Sequence, residues 1–350
     1  MKSNSSDKEK KSFFCKKRVY LIAEISANHG QDLKMALKMI RAAKKAGADA
    51  VKFQTYTADT ITLDVNNKYF QVKHPKWGGQ TLYKLYQDAY TPWSWFKTLK
   101  KAANDSGLDF FSTAFDKTAV DFLEDLDVPI HKIASFELVD LPLIQYMAKT
   151  KKPMIISTGM GTYSEICDAI NMAKTNGVDD IAILKCVSSY PARPEEMNLL
   201  TIPDMAKKLK LPIGLSDHTF GVSVPIAAVA LGARIIEKHF TLSRRNRTAD
   251  SFFSLEPQEF QEMAENVRIT EAALGKPFYG LTKDQKQSQI YRKSIFVSKN
   301  IRKGEVLTAE NIQSVRPAAG LPPKYWWKVL GKETKLPLKK GTPLKLKDLK

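Results

Sequence analysis

Hydrophobic positions along the chain fall into two alternating textures. Short runs rich in Ile, Val and Phe recur at Val19 to Ile25, Ala50 to Thr55, Asp109 to Ala114, His131 to Ser135, Met154 to Gly159, Ile181 to Val187, Pro212 to His218 and Arg234 to Phe240. They are apolar with little alternation, as strands covered on both faces must be. Between them lie helix-length amphipathic stretches. In Leu33 to Ala46, Leu33, Leu37, Ile40 and Ala43 make one face and Lys34, Lys38, Arg41 and Lys45 the other. This order predicts βα units, and parallel strands joined by right-handed crossovers close after eight units into an α/β fold of the (β/α)8 TIM barrel type. The pattern fills about 240 residues from Arg18, close to the ~250 typical of that barrel.

Every run breaks off in polar residues, and a TIM barrel carries its active site at the carboxyl ends of its strands. Those ends hold Glu24, Ser26, Asn28 and His29; Lys52 and Gln54; Ser112 and Thr113; Lys132, Ser135 and Glu137. Further round come Ser157 and Thr158; Lys185, Ser188, Ser189 and Tyr190; Ser216, Asp217 and His218; Glu237, Lys238 and His239. A scaffold has no need of polar chemistry at all its strand ends, so the pattern predicts an enzyme.

The texture changes after Leu274. Residues 275–289, with Pro277, Gly280 and a Lys/Gln-rich run, read as a linker between the barrel (18–274) and a β-rich module (290–350). In that module Ser294 to Ser298 reads as a strand, Lys303-Gly304-Glu305 as a turn, Thr308 as a helix cap and Lys324 to Leu330 as a helix. At about 60 residues it is marginal alone. The Ser- and Lys-rich residues 1–17 read as a disordered basic tail without a signal-peptide core.

Composition narrows the class. With 350 residues, 43% hydrophobic, the chain reads as soluble and globular. No apolar stretch reaches the ~18 residues of a membrane span, so the expectation is a cytoplasmic protein with no membrane partner. The net charge is +18, read as surface lysine spread over helix faces. There is no arginine-rich run, helix-turn-helix or RNA-binding aromatic motif, so no nucleic-acid partner is expected, while an anionic substrate would gain from the positive field. Cys15, Cys167 and Cys186 are odd in number and widely spaced, which argues against disulfides and a zinc knuckle; Cys186 reads as a buried structural thiol.

His218 and His239 end adjacent strands, as either half of a divalent-metal site or two hydrogen-bonding histidines. Asp217 and Glu237 read as supporting or packing partners beside them. Lys52 and Lys132, with Thr113, Ser135 and Ser157, suit a phosphate or carboxylate. The competing reading is a Schiff-base aldolase at Lys52, Lys132 or Lys185. Glu137 is a candidate for proton transfer.

Several phrases together resemble the sialic-acid synthase family: Ala23-Glu24 with Asn28-His29, Val51 to Gln54, Phe111 to Asp116, Lys132 to Ser135, Gly214 to Thr219 and Glu237 to Phe240. The resemblance implies a (β/α)8 barrel followed by a small antifreeze-like (SAF) domain, and condensation of phosphoenolpyruvate with an amino sugar assisted by a divalent metal, Mn2+ or Mg2+. Carried over by motif, His218 and His239 would hold the metal, and Lys52, Thr113, Lys132, Ser135, Ser157, Ser188 and Ser216 would surround phosphoenolpyruvate. Glu24, Gln54, Glu137, Tyr190 and Asp250 would face metal-bound water or the sugar. Arg316 matches the arginine that the SAF domain delivers to the other subunit's site, which implies a domain-swapped homodimer. The wording of Lys132 to Glu137, Ser189-Tyr190-Pro191 and Phe253 to Pro257 is most similar to the family's pseudaminic acid branch, with neuraminate and legionaminate synthesis as alternatives. Phe136 and Phe253 are expected to make the sugar pocket apolar enough to favour a trideoxy sugar. Two departures stand out: Arg244 to Ala249 replaces a glycine-rich approach to Asp250, and Ala114 replaces proline. A non-catalytic carbohydrate- or ice-binding role is disfavoured because the last domain lacks a regular threonine array.

Overall fold

The structure, a computed structural model, describes residues 12–14, 18–74 and 76–350. The chain divides into two compact units, Met1–Gly275 and Lys276–Lys350. In the first, β1 (Tyr20–Glu24), β2 (Ala50–Thr55), β3 (Asp109–Ala114), β4 (His131–Ile133), β5 (Met154–Ser157), β6 (Ile181–Cys186), β7 (Ile213–Asp217) and β8 (Ile235–His239) form a closed parallel barrel in sequence order. Glu24 of β1 lies opposite Lys52 of β2 on one side and His239 of β8 on the other. Closure leaves no strand edge to manage, so residue choice inside is governed by packing and chemistry.

The strands are buried almost throughout because helices cover their outer faces. The helix Leu33–Lys45 starts at Asp32, whose carboxylate accepts from the Lys34 N–H at 2.8 Å. It buries Ala36, Met39, Ile40 and Ala43, while Leu33 and Leu37 are only partly covered. The buried face is therefore rotated from the one expected: Ile40 and Ala43 keep their place, Ala36 and Met39 join them, and the two leucines pack at its margin.

Contacts show which strand residues face inward. At the amino-terminal end the Tyr20 hydroxyl donates to Asp109 at 2.7 Å across the interior. Thr55 and Ser112, outward on neighbouring strands, share a hydrogen bond of 2.7 Å. Gly214 of β7 sits where a Cβ would lie 2.5 Å from the Ile235 carbonyl oxygen and 2.6 Å from the Leu184 side chain. A closed barrel tolerates little adjustment there.

The second unit pairs β9 (Ser294–Val297) antiparallel with β10 (Ile312–Val315) over a small core that includes Ile295, Val297, Leu307, Ile312 and Leu344. The stretch read as a linker contains a short exposed helix, Lys283–Ser288, capped by Thr282. Thr308 does not cap a helix: Asn311 accepts from its N–H at 2.8 Å and donates to the Val306 carbonyl at 3.0 Å, closing a turn instead. Residues 12–14, inside the stretch read as a disordered tail, are placed against the barrel. Ser12 and the Phe13 N–H donate to Asp180 at 2.7 and 2.5 Å, and Phe14 is buried. The rest of the tail, with Cys15, lies outside the described residues. Among the described residues no helix is long and apolar enough to cross a membrane.

Gly214→Ala is expected to destabilise the chain by about 1–3 kcal/mol, the usual cost of overpacking, because the clash includes backbone. A urea midpoint equal to that of the wild type would contradict this.

Candidate active site

At the carboxyl end of the barrel each strand turns one polar group inward: Glu24, Lys52, Thr113, Lys132, Ser157, Cys186, Ser216 and Glu237. The Lys52 ammonium is 2.8 Å from Glu24 Oε2, 3.7 Å from Glu237 Oε1 and donates to Thr113 Oγ1 at 3.2 Å. Lys132 donates to Ser157 Oγ at 2.7 Å and the Ile133 carbonyl at 3.0 Å, and Ser216 donates to Glu237 Oε1 at 3.1 Å. Above this ring Gln54 donates to Glu24 Oε1 at 2.9 Å and Ser26 Oγ at 2.8 Å, and Ser26 in turn donates to Asp250.

Opposite charges at such spacing inside protein perturb one another and their protons. Burial raises Glu24 to about 7, opposed by Lys52 and reinforced by Glu237. Burial also raises Glu137 to about 7, against its own backbone N–H and Lys132. Burial lowers Lys132, while at Lys52 it is outweighed by Glu237 and Glu24, which raise it. The Cys186 thiol, which burial alone would push up, is brought down to about 7 by His218, 3.9 Å away, with Ser135 and Lys132 helping.

Ser135, Ser157 and Ser188 converge beside Lys132. The Gly159 N–H donates to Ser135 Oγ at 3.1 Å, and a Cβ on Gly159 would meet Ser188 Oγ at 2.1 Å. Hydroxyls, a backbone N–H and an ammonium around one small space match an anion with several oxygens. The His218 and His239 rings lie 5.3 Å apart. His218 Nδ1 is 2.8 Å from the Val187 carbonyl, so that nitrogen carries a proton and Nε2 is the one left to face a ligand. Burial, then His218, holds His239 well below the usual histidine range and therefore neutral; its Nδ1 is buried without a hydrogen bond. At His218 burial, which lowers it, is outweighed by Cys186 and the Val187 carbonyl, which hold it above the usual histidine range. Once His218 gives up its second ring proton, the two rings supply two nitrogen donors, half of a metal site. Among the described residues no cluster of three or more His, Cys, Asp or Glu is placed to hold a metal, so any ion there would need water or substrate oxygens as well. Asp250, raised by burial against hydrogen bonds from Ser26 and Ala27, has Oδ2 3.9 Å from His239 Nδ1. Tyr190 packs on His218 at 4.4 Å.

The barrel therefore gathers Glu24, Lys52, Gln54, Thr113, Lys132, Ser135, Glu137, Ser157, Ser188, Tyr190, Ser216, His218, His239 and Asp250 around one end. Arg316 belongs to the other unit, exposed just beyond β10. Glu237, read from sequence as a supporting residue, sits inside the ring, whereas Asp217 faces outward and pairs with Lys238 at 2.5 Å. Counting by twos from His239 puts Glu237 on its face, while Asp217, one residue from His218, takes the other. Phe253 is buried 4.7 Å from the His239 ring and 5.3 Å from that of Tyr190, and Phe136 is 60% exposed. Asn28 and His29 are fasteners. Asn28 donates to the Phe240 carbonyl and Ser254, and His29 bonds Thr91 at 2.9 Å.

Beside the ring a cavity of 600 Å³ lies between the loop after β2, with Lys76, Trp77 and Gln80, and the loop after β8, with Arg244, Arg247 and Thr248. Trp77, which the sequence did not single out, donates its indole N–H to the Ala249 carbonyl at 2.7 Å and ties the two loops together. Arg244, in the segment that departs from the family, forks onto Glu259 at 2.5 and 2.8 Å and anchors that loop to the helix Pro257–Leu274.

Four of the five buried side-chain atoms without a hydrogen bond among the described residues belong here: Glu24 Oε2, Glu137 Oε2, Glu237 Oε2 and His239 Nδ1. Lys52 is close to Glu24 Oε2 but off the hydrogen-bonding direction. Such concentration marks a site built for a ligand rather than for stability. It also fixes a sign. Glu137 titrates near 4.5 when unfolded and about 7 when folded, so the unfolded chain loses its proton first. Stability then falls as pH rises through this window and stays low above it. Glu137→Gln should therefore be more stable than wild type by about 1–3 kcal/mol at pH 8, with the difference vanishing near pH 4. Urea unfolding at both pH values checks this; a less stable variant at pH 8 would contradict it.

Comparison with known proteins agrees with this geometry. The NeuB family model matches residues 39–279 and the SAF domain model residues 292–350. The chain is 44% identical to a pseudaminic acid synthase of Campylobacter jejuni, over 95% of this chain and 97% of the relative. It is 34% identical to an N,N'-diacetyllegionaminic acid synthase of Legionella pneumophila, over 93% of each. Among solved structures, the N-acetylneuraminic acid synthetase of Leptospira borgpetersenii in complex with citrate superposes with a TM-score of 0.69 at 32% identity, covering 77% of this chain and 90% of that one. The barrel and the second unit are thus those of a known architecture, and the chain belongs to the NeuB family and carries a SAF domain.

Proposed function

We propose that the chain condenses phosphoenolpyruvate with 2,4-diacetamido-2,4,6-trideoxy-β-L-altropyranose and releases pseudaminic acid and phosphate. The chemistry rests on one observation: two buried ammonium groups and three serine hydroxyls converge beside carboxylates that each keep one oxygen without a hydrogen bond. The choice of sugar rests on similarity, 44% to the pseudaminic acid synthase against 34% and 37% to two legionaminic ones.

Lys132, Ser135, Ser157, Ser188 and the Gly159 N–H would hold the phosphate and carboxylate of phosphoenolpyruvate, with Lys52 supplying the second positive charge. Carbon 3 of phosphoenolpyruvate bonds to the aldehyde carbon of the open-chain sugar, and water adds to carbon 2. The tetrahedral product expels phosphate, whose charge the two lysines stabilise. Glu24 and Glu137, both near 7, suit holding the water and removing its proton. His218 and His239 would hold Mn2+ or Mg2+; when bound, such an ion supplies Lewis acidity toward the sugar's carbonyl. Tyr190, Gln54 and Asp250 would position the sugar.

The aldolase reading draws on the lowered proton affinity of Lys132, but that amine already donates to two oxygens, while Lys185 donates to the Cys186 carbonyl. Borohydride trapping of a covalent adduct would favour it.

Phosphate release is expected only when phosphoenolpyruvate, the trideoxy sugar and a divalent cation are all present. It should be lost on chelation, with kcat/KM for N-acetylmannosamine lower by roughly tenfold or more, as for a site that leaves polar groups unmatched. Equal efficiency with N-acetylmannosamine would overturn the sugar, and full activity in chelator would overturn the metal.

We further propose a homodimer in which Arg316 of the partner subunit completes each site, since a guanidinium fork suits an acetamido oxygen or an anion. Arg316→Ala and Lys52→Ala should each be inactive, and mixing them under subunit exchange should restore partial activity. Confirmed exchange without activity would contradict this.

A further inference from the structure

The charge surplus is not spread evenly, as the sequence alone suggested. Residues 276–350 hold 18 Lys and Arg against 5 Asp and Glu. Residues 19–275 hold 30 of each sign. The barrel unit mixes signs as an ordinary soluble surface does, while the second unit is strongly of one sign. All 18 of its cations are exposed, and among the described residues only Lys299 and Lys350 are ion-paired, with Glu310 and Glu333.

Backbone pairing gathers these charges. Lys335 N donates to the Asp348 carbonyl at 2.8 Å and Lys350 N to the Glu333 carbonyl at 2.9 Å, bringing Lys335, Lys347 and Lys350 to one end of the module. Lys340 N donates to Asn300 Oδ1 at 2.9 Å, placing Lys339 and Lys340 beside Lys299. Apolar side chains stand exposed among them: Leu336 at 43%, Leu346 at 44% and, between Lys324 and Lys328, Trp327 at 83%.

We propose that this unit docks peripherally on an anionic lipid bilayer. Fifteen of the 18 cations are lysines, which supply charge without the planar fork that arginine offers to individual phosphates and bases. A bilayer surface asks only for diffuse positive charge. Nucleic acid has no use for exposed leucines, whereas Leu, Trp and Lys together are the composition of interfacial segments, with apolar tips at the acyl boundary and ammonium groups among the headgroups. Docking of this kind needs no membrane span, and it is independent of which sugar the barrel uses.

The test is co-sedimentation of the full chain with vesicles of phosphatidylcholine alone or with about 30% phosphatidylglycerol. Binding to the anionic vesicles should be at least about tenfold stronger at ~0.1 M salt and lost near ~0.5 M. Lys335→Glu, Lys339→Glu and Lys347→Glu together should abolish it while leaving phosphate release unchanged. Trp327→Ala should weaken binding to vesicles and leave binding to duplex DNA unaltered. Lys8→Gln, Lys10→Gln and Lys11→Gln together should leave vesicle binding intact. The proposal is overturned by equal binding to neutral vesicles, by no binding, by full binding of the triple glutamate variant or by loss of binding in the triple glutamine variant. Displacement from the vesicles by an equal phosphate concentration of duplex DNA would overturn it in favour of nucleic acid.

Discussion

The barrel must keep two ammonium groups and two carboxylates in an interior that water does not solvate. Lys52, Lys132, Glu24 and Glu237 are each at most 5% exposed. Charges so placed are tolerable only when paired, and removing one member of a buried pair typically costs about 3–5 kcal/mol. The polar ring follows from that condition. Thr113, Ser157 and Ser216 occupy the inward positions where a hydroxyl meets an ammonium or a carboxylate.

The same condition explains why the ring is incomplete by itself. Pairing satisfies the lysines more fully than the carboxylates, which keep oxygens without hydrogen bonds, and burial, against the pull of the lysines, leaves Glu24 and Glu137 near 7. An anion entering beside Lys132 and the serines would take up donors that now serve the protein. Carboxylates on the far side would then be free to handle protons. In the proposed reaction, anion recognition and proton handling would be two sides of one charge arrangement.

Much of this was legible in the sequence because each step rested on a strong period. The eight apolar runs, their polar ends and the change after Leu274 mark strands, site and second unit. What escaped depended on phase or on distant partners. Glu237 was misassigned because its phase relative to His239 was not counted, although two-residue alternation places both inward. The fuller burial of Ala36 and Met39 than of Leu33 and Leu37 on the first helix depends on packing that no local pattern encodes. At Thr308 the side chain of Asn311 outcompeted a helix start. Trp77 carries no sequence signal, since its partner at Ala249 is 172 residues away. The concentration of charge in the second unit was present in the sequence but becomes visible only when counted within that unit's boundary.

The central claim is that the ring is an anion receptor held ready by Lys52 and Lys132. The most direct measurement is the thermal unfolding midpoint of the full chain as phosphoenolpyruvate is added without sugar, in the wild type and in Lys132→Met. A ligand that binds only the folded state stabilises it by about 2.7 kcal/mol at a hundred times its Kd. The wild-type midpoint should therefore climb steadily with concentration while that of Lys132→Met stays flat. A wild-type midpoint that does not move, or equal climbs in both proteins, would contradict the account.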